Sequence, residues 1–193
     1  MRNKAIVLTL LLLPFKGVYA AAVDFRVGSK MAELSFLTQT STFGYGGADI
    51  GFGALINEYN DVVLNGSILV SGNSAGDVQA LQFGVGAKAY AGFLDGPNGS
   101  LNIDGGAIAI GGSLRYVFSS SMPVAILGEI FYAPGVTSIA QFDGLLEYRL
   151  GVELEITPSA RAYVGYRNLE VTFDNDFDYE VDDAAHIGVR FEF

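Results

Sequence analysis

From Phe142 to Ile156 the chain alternates. Phe142, Leu146, Tyr148, Leu150, Val152, Leu154 and Ile156 fall on one side of an extended strand, and Asp143, Glu147, Arg149, Glu153 and Glu155 fall on the other, because strand side chains point to opposite faces in turn. The last ten residues, Ala184 to Phe193, repeat the device: Ile187, Val189, Phe191 and Phe193 oppose His186, Gly188, Arg190 and Glu192. One face is apolar and the other charged. Beyond residue 20 there is no apolar run of about 18 residues, so a helical membrane span is excluded. If the chain enters a bilayer it does so as a closed barrel, since only helices and closed barrels satisfy every backbone group in lipid.

Composition turns that conditional into an expectation. Half of the residues are hydrophobic and the chain carries 25 glycines and a net charge of −10, with a mean hydropathy of +0.35. A soluble core does not combine these easily, whereas a barrel with apolar side chains outward and small or charged ones inward does. Trp is absent, and 14 Phe and 10 Tyr are available for interfacial girdles. A soluble ligand-enclosing barrel is the inverse arrangement, with apolar residues inside and charges outside.

Residues 1–20 read as a secretory signal: Arg2 and Lys4 precede an apolar stretch from Ala5 to Phe15, and Val18-Tyr19-Ala20 offers a small-residue cleavage site, with Ala22 as the alternative. Its loss removes only basic side chains, making the remainder, residues 21–193, more acidic still and unsuited to nucleic acid. Zero cysteines exclude disulfides and thiol catalysis.

Alternating segments then recur along residues 21–193. They are Val23 to Gly28, Glu33 to Thr38, Ala48 to Asn57, Val62 to Val70, Leu81 to Phe93, Ile108 to Phe118, Val124 to Tyr132, Phe142 to Ile156, Arg161 to Phe173 and the closing strand. In Arg161 to Phe173 the apolar phase changes near Asn168, as at a bulge or where a strand leaves the bilayer. The reading is all-β: an antiparallel transmembrane β-barrel of about ten strands, with eight as the alternative. With the C-terminus in the periplasm, Gly72 to Asp77, Ser119 to Pro123 and Thr157 to Ala160 are expected to be short periplasmic turns. Leu94 to Ile103, Ala133 to Gln141 and Asp174 to Asp183 are expected to be longer outer loops.

The segments GVGAKAY (Gly84 to Tyr90), GAIAIGGSLRYVF (Gly106 to Phe118), LGEIFYAPG (Leu127 to Gly135) and VGYRNLEV (Val164 to Val171), in this order and spacing, resemble the YfaZ family of bacterial outer-membrane proteins. The resemblance implies a small, porin-like or structural barrel in the outer membrane of a Gram-negative envelope, with no catalytic residues to carry over. It implies contact with outer-membrane lipids, recognition of the C-terminal strand by the barrel-assembly machinery, and a monomer. No cofactor or metal is called for.

The candidate functional residues are the inward charges. Lys88, Arg115, Glu129, Glu147, Arg149, Arg167, His186 and Arg190 are expected to line the lumen, together with Asp24, Arg26, Glu33, Asp49, Asp143, Glu153, Glu155, Arg161 and Glu192. They form either a structural ion-pair network or a narrow polar pore whose charges set ion preference. A second reading makes the outer loops a ligand-binding surface. A third, a lipid-modifying enzyme, needs His186 oriented by Asp182 or Asp183, and no nucleophile motif accompanies it. The acidic run DNDFDYEVDD (Asp174 to Asp183) begins like a calcium loop, but Tyr179 replaces the turn glycine and Ala185 the bidentate Glu.

Overall fold

The computed structural model describes residues 21–193 except 41–47, 74–80, 119–122 and 174–176. The expected signal, residues 1–20, lies outside the described residues. Within them the strands are β1 (Ala21–Gly28), β2 (Met31–Thr40), β3 (Ala48–Asn57), β4 (Val62–Asn73), β5 (Leu81–Leu94), β6 (Ile103–Phe118), β7 (Val124–Ala133), β8 (Ser138–Ala140), β9 (Phe142–Thr157), β10 (Ala160–Phe173) and β11 (Phe177–Glu192). Short 3₁₀ turns occupy Pro97–Gly99 and Gly135–Thr137.

Ten long strands form one antiparallel cylinder. Sequential neighbours pair from β1 to β7, β7 passes to β9, and β1 meets β11 to close the wall; β8 is a three-residue strip added to the lip of β6. The closing register runs from Ala22↔Glu192 to Gly28↔His186 and sets Asp24 opposite Arg190, a cross-strand charge match that helps fix it. Closure leaves no edge to pair with another chain. The start of β1 and the end of β11 lie together at one end of the cylinder, which we take as periplasmic, as in bacterial barrels of even strand number.

The wall has the expected sides. Val85, Ile110, Leu114, Leu150 and Ile187 are all more than half exposed to the surroundings, as is Phe193 at 77%. Each buries its apolar surface only if lipid covers it. Phe83, Tyr116, Phe118 and Phe191 supply aromatic side chains toward the periplasmic end, with Tyr116 and Phe118 edge to face at 4.9 Å. No helix among the described residues is long and apolar enough to cross a membrane. This is a transmembrane β-barrel.

Three local expectations change. The apolar phase of β10 changes near Asn168 as expected, but without a break in its alternation: Arg161, Tyr163, Gly165, Arg167, Leu169, Val171 and Phe173 all occupy the inner side, and Leu169, Val171 and Phe173 are buried there while Val164 and Tyr166 face outward. The irregularity lies in the pairing with β11, where Leu169 faces Asp182 but Glu170 faces Glu180. At the head of β9 a second register shift opposite Thr172 and Phe173 turns Phe142 inward and leaves Asp143 exposed, the reverse of the strict alternation. Finally, β11 begins at Phe177, so most of the acidic run is wall and only residues 174–176 lie between β10 and β11. The expected periplasmic turns Gly72 to Asp77 and Ser119 to Pro123 fall largely outside the described residues, and Thr157 to Ala160 spans the tight turn between β9 and β10.

Candidate functional site

The inward positions divide the lumen into two halves. In the outer half they are apolar: Leu55, Val63, Leu94, Phe131, Leu145, Leu169, Val171, Phe173 and Val181 are each at most 5% exposed and form one cluster with Met31, Tyr90, Phe142 and Tyr179. Phe142 fits because Gly92 leaves room for it: a Cβ there would stand 2.7 Å from the Phe142 ring. Side chains fill this half as they fill a small barrel.

Below the cluster a bar of ion pairs crosses the lumen. Glu33 on β2 accepts from Arg26 Nη1 at 2.9 Å and from Arg167 Nη1 on β10 at 2.6 Å. Arg167 also donates from Nε to Asp182 at 2.8 Å and lies 3.7 Å from Glu147 on β9. Glu147 in turn accepts from Lys88 Nζ on β5 at 2.8 Å and from the Tyr90 hydroxyl. The bar thus reaches from β1 and β2 to β5. Lys88 also stands 4.7 Å over the Phe131 ring, tying the charged layer to the apolar one.

Toward the periplasmic end the pairs follow the wall instead of crossing it. Arg149 meets its cross-strand partner Glu129 at 2.7 Å. Asp24 accepts from Arg190 at 2.9 Å and from Tyr163 at 2.5 Å. Arg115 donates to Glu153 at 2.8 Å and to Gln82 at 3.1 Å, and Arg161 pairs with Glu192 at 2.9 Å. Between this belt and the serine- and glycine-rich wall of β2 to β6 lies a cavity of about 830 Å³, reaching from Glu33, Lys88 and Glu147 to Ala22, Thr38 and Glu192 at the terminal end.

Of the residues singled out by sequence, Lys88, Glu147 and Arg167 meet in the bar, Arg115 and Arg190 converge on Glu153, the latter at 3.9 Å, and Glu129 and Arg149 pair with each other. His186 stands apart. It is 3% exposed, packed edge-on to Tyr163 with ring centroids 6.0 Å apart. Asp182 is held by Arg167 and Asp183 by the Tyr166 hydroxyl, so neither orients His186.

Glu33 was placed in the lumen by sequence without its role as the hub, and Asp61 went unremarked. Glu33, hub of the bar, is the sole carboxylate on β2, a signal available from alternation alone. Asp61 is fully buried at the outer lip: its Oδ1 accepts from the Asp95 and Gly96 amides at 2.7 and 2.9 Å, and its Oδ2 from Asn57 Nδ2 and the Tyr179 hydroxyl at 2.8 and 2.6 Å. The turn NEYND, with Asn60 at φ 62°, was its only local sign.

Residues 4–193 match the family described as YfaZ precursor. The chain belongs to the YfaZ family. No curated protein matches it. Among solved structures, the NanC porin is 14% identical, with 89% of this chain and 98% of that one covered and a TM-score of 0.47. The KdgM porin is 9% identical, covering 90% and 99%, with a TM-score of 0.43. The outer membrane channel DcaP of Acinetobacter baumannii is 9% identical with a TM-score of 0.44; 88% of this chain is covered, and it spans 54% of that channel's length. The barrel of this YfaZ member rests on its own hydrogen-bond register. A closed antiparallel cylinder of ten long strands with an apolar outer belt is an outer-membrane, porin-like architecture, and the outer membrane is where this family member resides.

Proposed function

We propose that this YfaZ-family protein is a porin-like barrel at rest in a shut state, with a polar vestibule facing the periplasm and a seal in its outer half. The observation that carries the reading is the continuous layer Arg26–Glu33–Arg167–Glu147–Lys88 directly beneath a buried apolar cluster. Ions crossing the barrel would have to leave water for apolar surroundings, which is costly. Passage therefore requires the bar to separate and the cluster to shift. Lys88, Arg115, Glu129, Glu147, Arg149, Arg167 and Arg190 serve this state by holding the lumen in register and setting the polarity of the vestibule, while His186 packs the wall.

The rest of the molecule fits the same role. Residues 1–20 direct export and are removed, and residues 21–193 are the single barrel domain. The C-terminal strand, apolar outward and ending on Phe193, is the element offered to the barrel-assembly machinery. The protein works as a monomer and not as an enzyme.

Planar-bilayer recording tests the seal. Folded protein, verified by heat-shifted gel mobility, is expected to give no stable conductance steps at several voltages. Phe131→Ala, which opens the apolar layer above Lys88, is expected to produce them. Persistent steps from the wild-type chain would overturn the reading.

A further inference from the structure

The cavity beneath the bar is large enough for a small molecule, since ligand sites run from about 300 to 1,000 Å³, and at about 830 Å³ it reaches the terminal end of the barrel. Its charges are already spent on one another. The six lining cations, Arg26, Lys88, Arg115, Arg149, Arg161 and Arg190, each contact a lining carboxylate at 2.7 to 2.9 Å. The seventh lining carboxylate, Asp49, accepts from Ser71 at 2.7 Å. An anionic solute entering here meets no unpaired cation and must either break a pair or give up its own hydration.

The opposite wall offers different chemistry. Ser67, Ser113, Thr38, Asn65 and Gln82 line it with hydroxyls and amides, groups that both donate and accept hydrogen bonds. Glycines make the room: a Cβ at Gly51 would stand 2.6 Å from Ser67 Oγ, and one at Gly84 would stand 2.8 Å from Ser113 Oγ. The space left above those serines is the cavity itself.

We propose that this vestibule is a binding site for a neutral, hydroxyl-rich solute of sugar or polyol type, admitted from the periplasmic end, with Ser67, Ser113 and Asn65 as its hydrogen-bonding wall. The proposal deepens the vestibule reading above. It is nevertheless read by a separate experiment, so a conducting wild-type barrel and a vestibule that binds nothing are distinguishable results.

The test is saturation-transfer NMR on the refolded mature chain in micelles, with maltose and glucuronate as probes. Maltose is expected to receive saturation, with glucuronate at least about tenfold weaker because it finds no free cation. Ser67→Phe, which fills the cavity, is expected to abolish transfer to maltose while the heat-shifted gel mobility persists. Should that variant fail to fold, Ser113→Leu on the neighbouring wall makes the same test. Glucuronate binding as well as maltose, maltose transfer that survives the filled cavity, or no transfer to either probe would each overturn the proposal.

Discussion

The two halves of the lumen are built from the same strands, yet one is solid and the other hollow. Along β10 the inner side runs Arg161, Tyr163, Gly165, Arg167 and then Leu169, Val171, Phe173; along β4 it runs Ser71, Leu69, Ser67, Asn65 and then Val63. Alternation continues along β10 through the crossing, although its pairing with β11 shifts between Leu169 and Glu170. The main difference is the residue type at alternate positions, so a barrel can be plugged or left open without altering strand count or closure. In the outer half, inward apolar groups gain by burial against each other. In the periplasmic half, charges stay only because each has a partner.

Arg167, 2% exposed at the frontier between the halves, is where that account is most exposed to failure. Replacing it by Ala leaves buried Asp182 without its cation and takes one of two cations from Glu33 and from Glu147. Removing one partner of a buried ion pair costs about 3–5 kcal/mol, so Arg167→Ala is expected to lower stability by that amount or to prevent folding, read by urea titration in bilayers. A loss below about 1 kcal/mol, as for an exposed pair, would mean that water reaches Asp182 and the halves are not separate. Asp61 tests the outer rim of the solid half. Asp61→Ala leaves the Asp95 and Gly96 amides and the Tyr179 hydroxyl without their acceptor, an expected cost of about 1–3 kcal/mol. Hydrogen exchange should quicken at Asp95 and Gly96 while β9 and β10 keep their protection. Equal protection in the variant would show that Asp61 does not latch the lip.

Much of this was legible in the sequence because period-2 alternation is a local signal: Ala48 to Asn57 coincides with β3, and the pairing of Val23 to Gly28 with the last strand follows from closure. What alternation cannot tell is which of its faces is wet. Leu169, Val171 and Phe173 read as a change of phase because apolar was equated with outward, and the true cause is a lumen that is itself apolar at that depth. Phe142 and Asp143 exchanged sides through a register shift set by the partner strand β10, about which β9's own residues carry no information. The acidic run was taken for a loop because like charges prefer water; instead Asp182 reaches Arg167, a cation fifteen residues earlier on the adjacent strand. The charged side chains were identifiable as inward, but which carboxylate holds which cation depends on contacts across the cylinder.

The smallest expected effect separates burial from distance as the reason the bar matters. Lys30 and Glu58 sit in the turns between β1 and β2 and between β3 and β4, paired at 3.0 Å with side chains 60% and 40% exposed; Arg26 and Glu33 are paired at 2.9 Å with side chains 5% and 6% exposed. Geometry is nearly the same and solvent is not. The hydrogen bond between them holds the Glu58 carboxyl below its usual range and the Lys30 ammonium above its own. Any stability the pair adds is lost as pH falls through the lowered Glu58 value or rises through the raised Lys30 value, and is present between them. In water, screening and side-chain entropy offset such a pair. Lys30→Ala is therefore expected to leave the urea midpoint at neutral pH where it was, in low salt and high. A midpoint shift as large as that of Arg167→Ala would show that pair distance, and not the dryness of the sealed half, decides what these charges contribute.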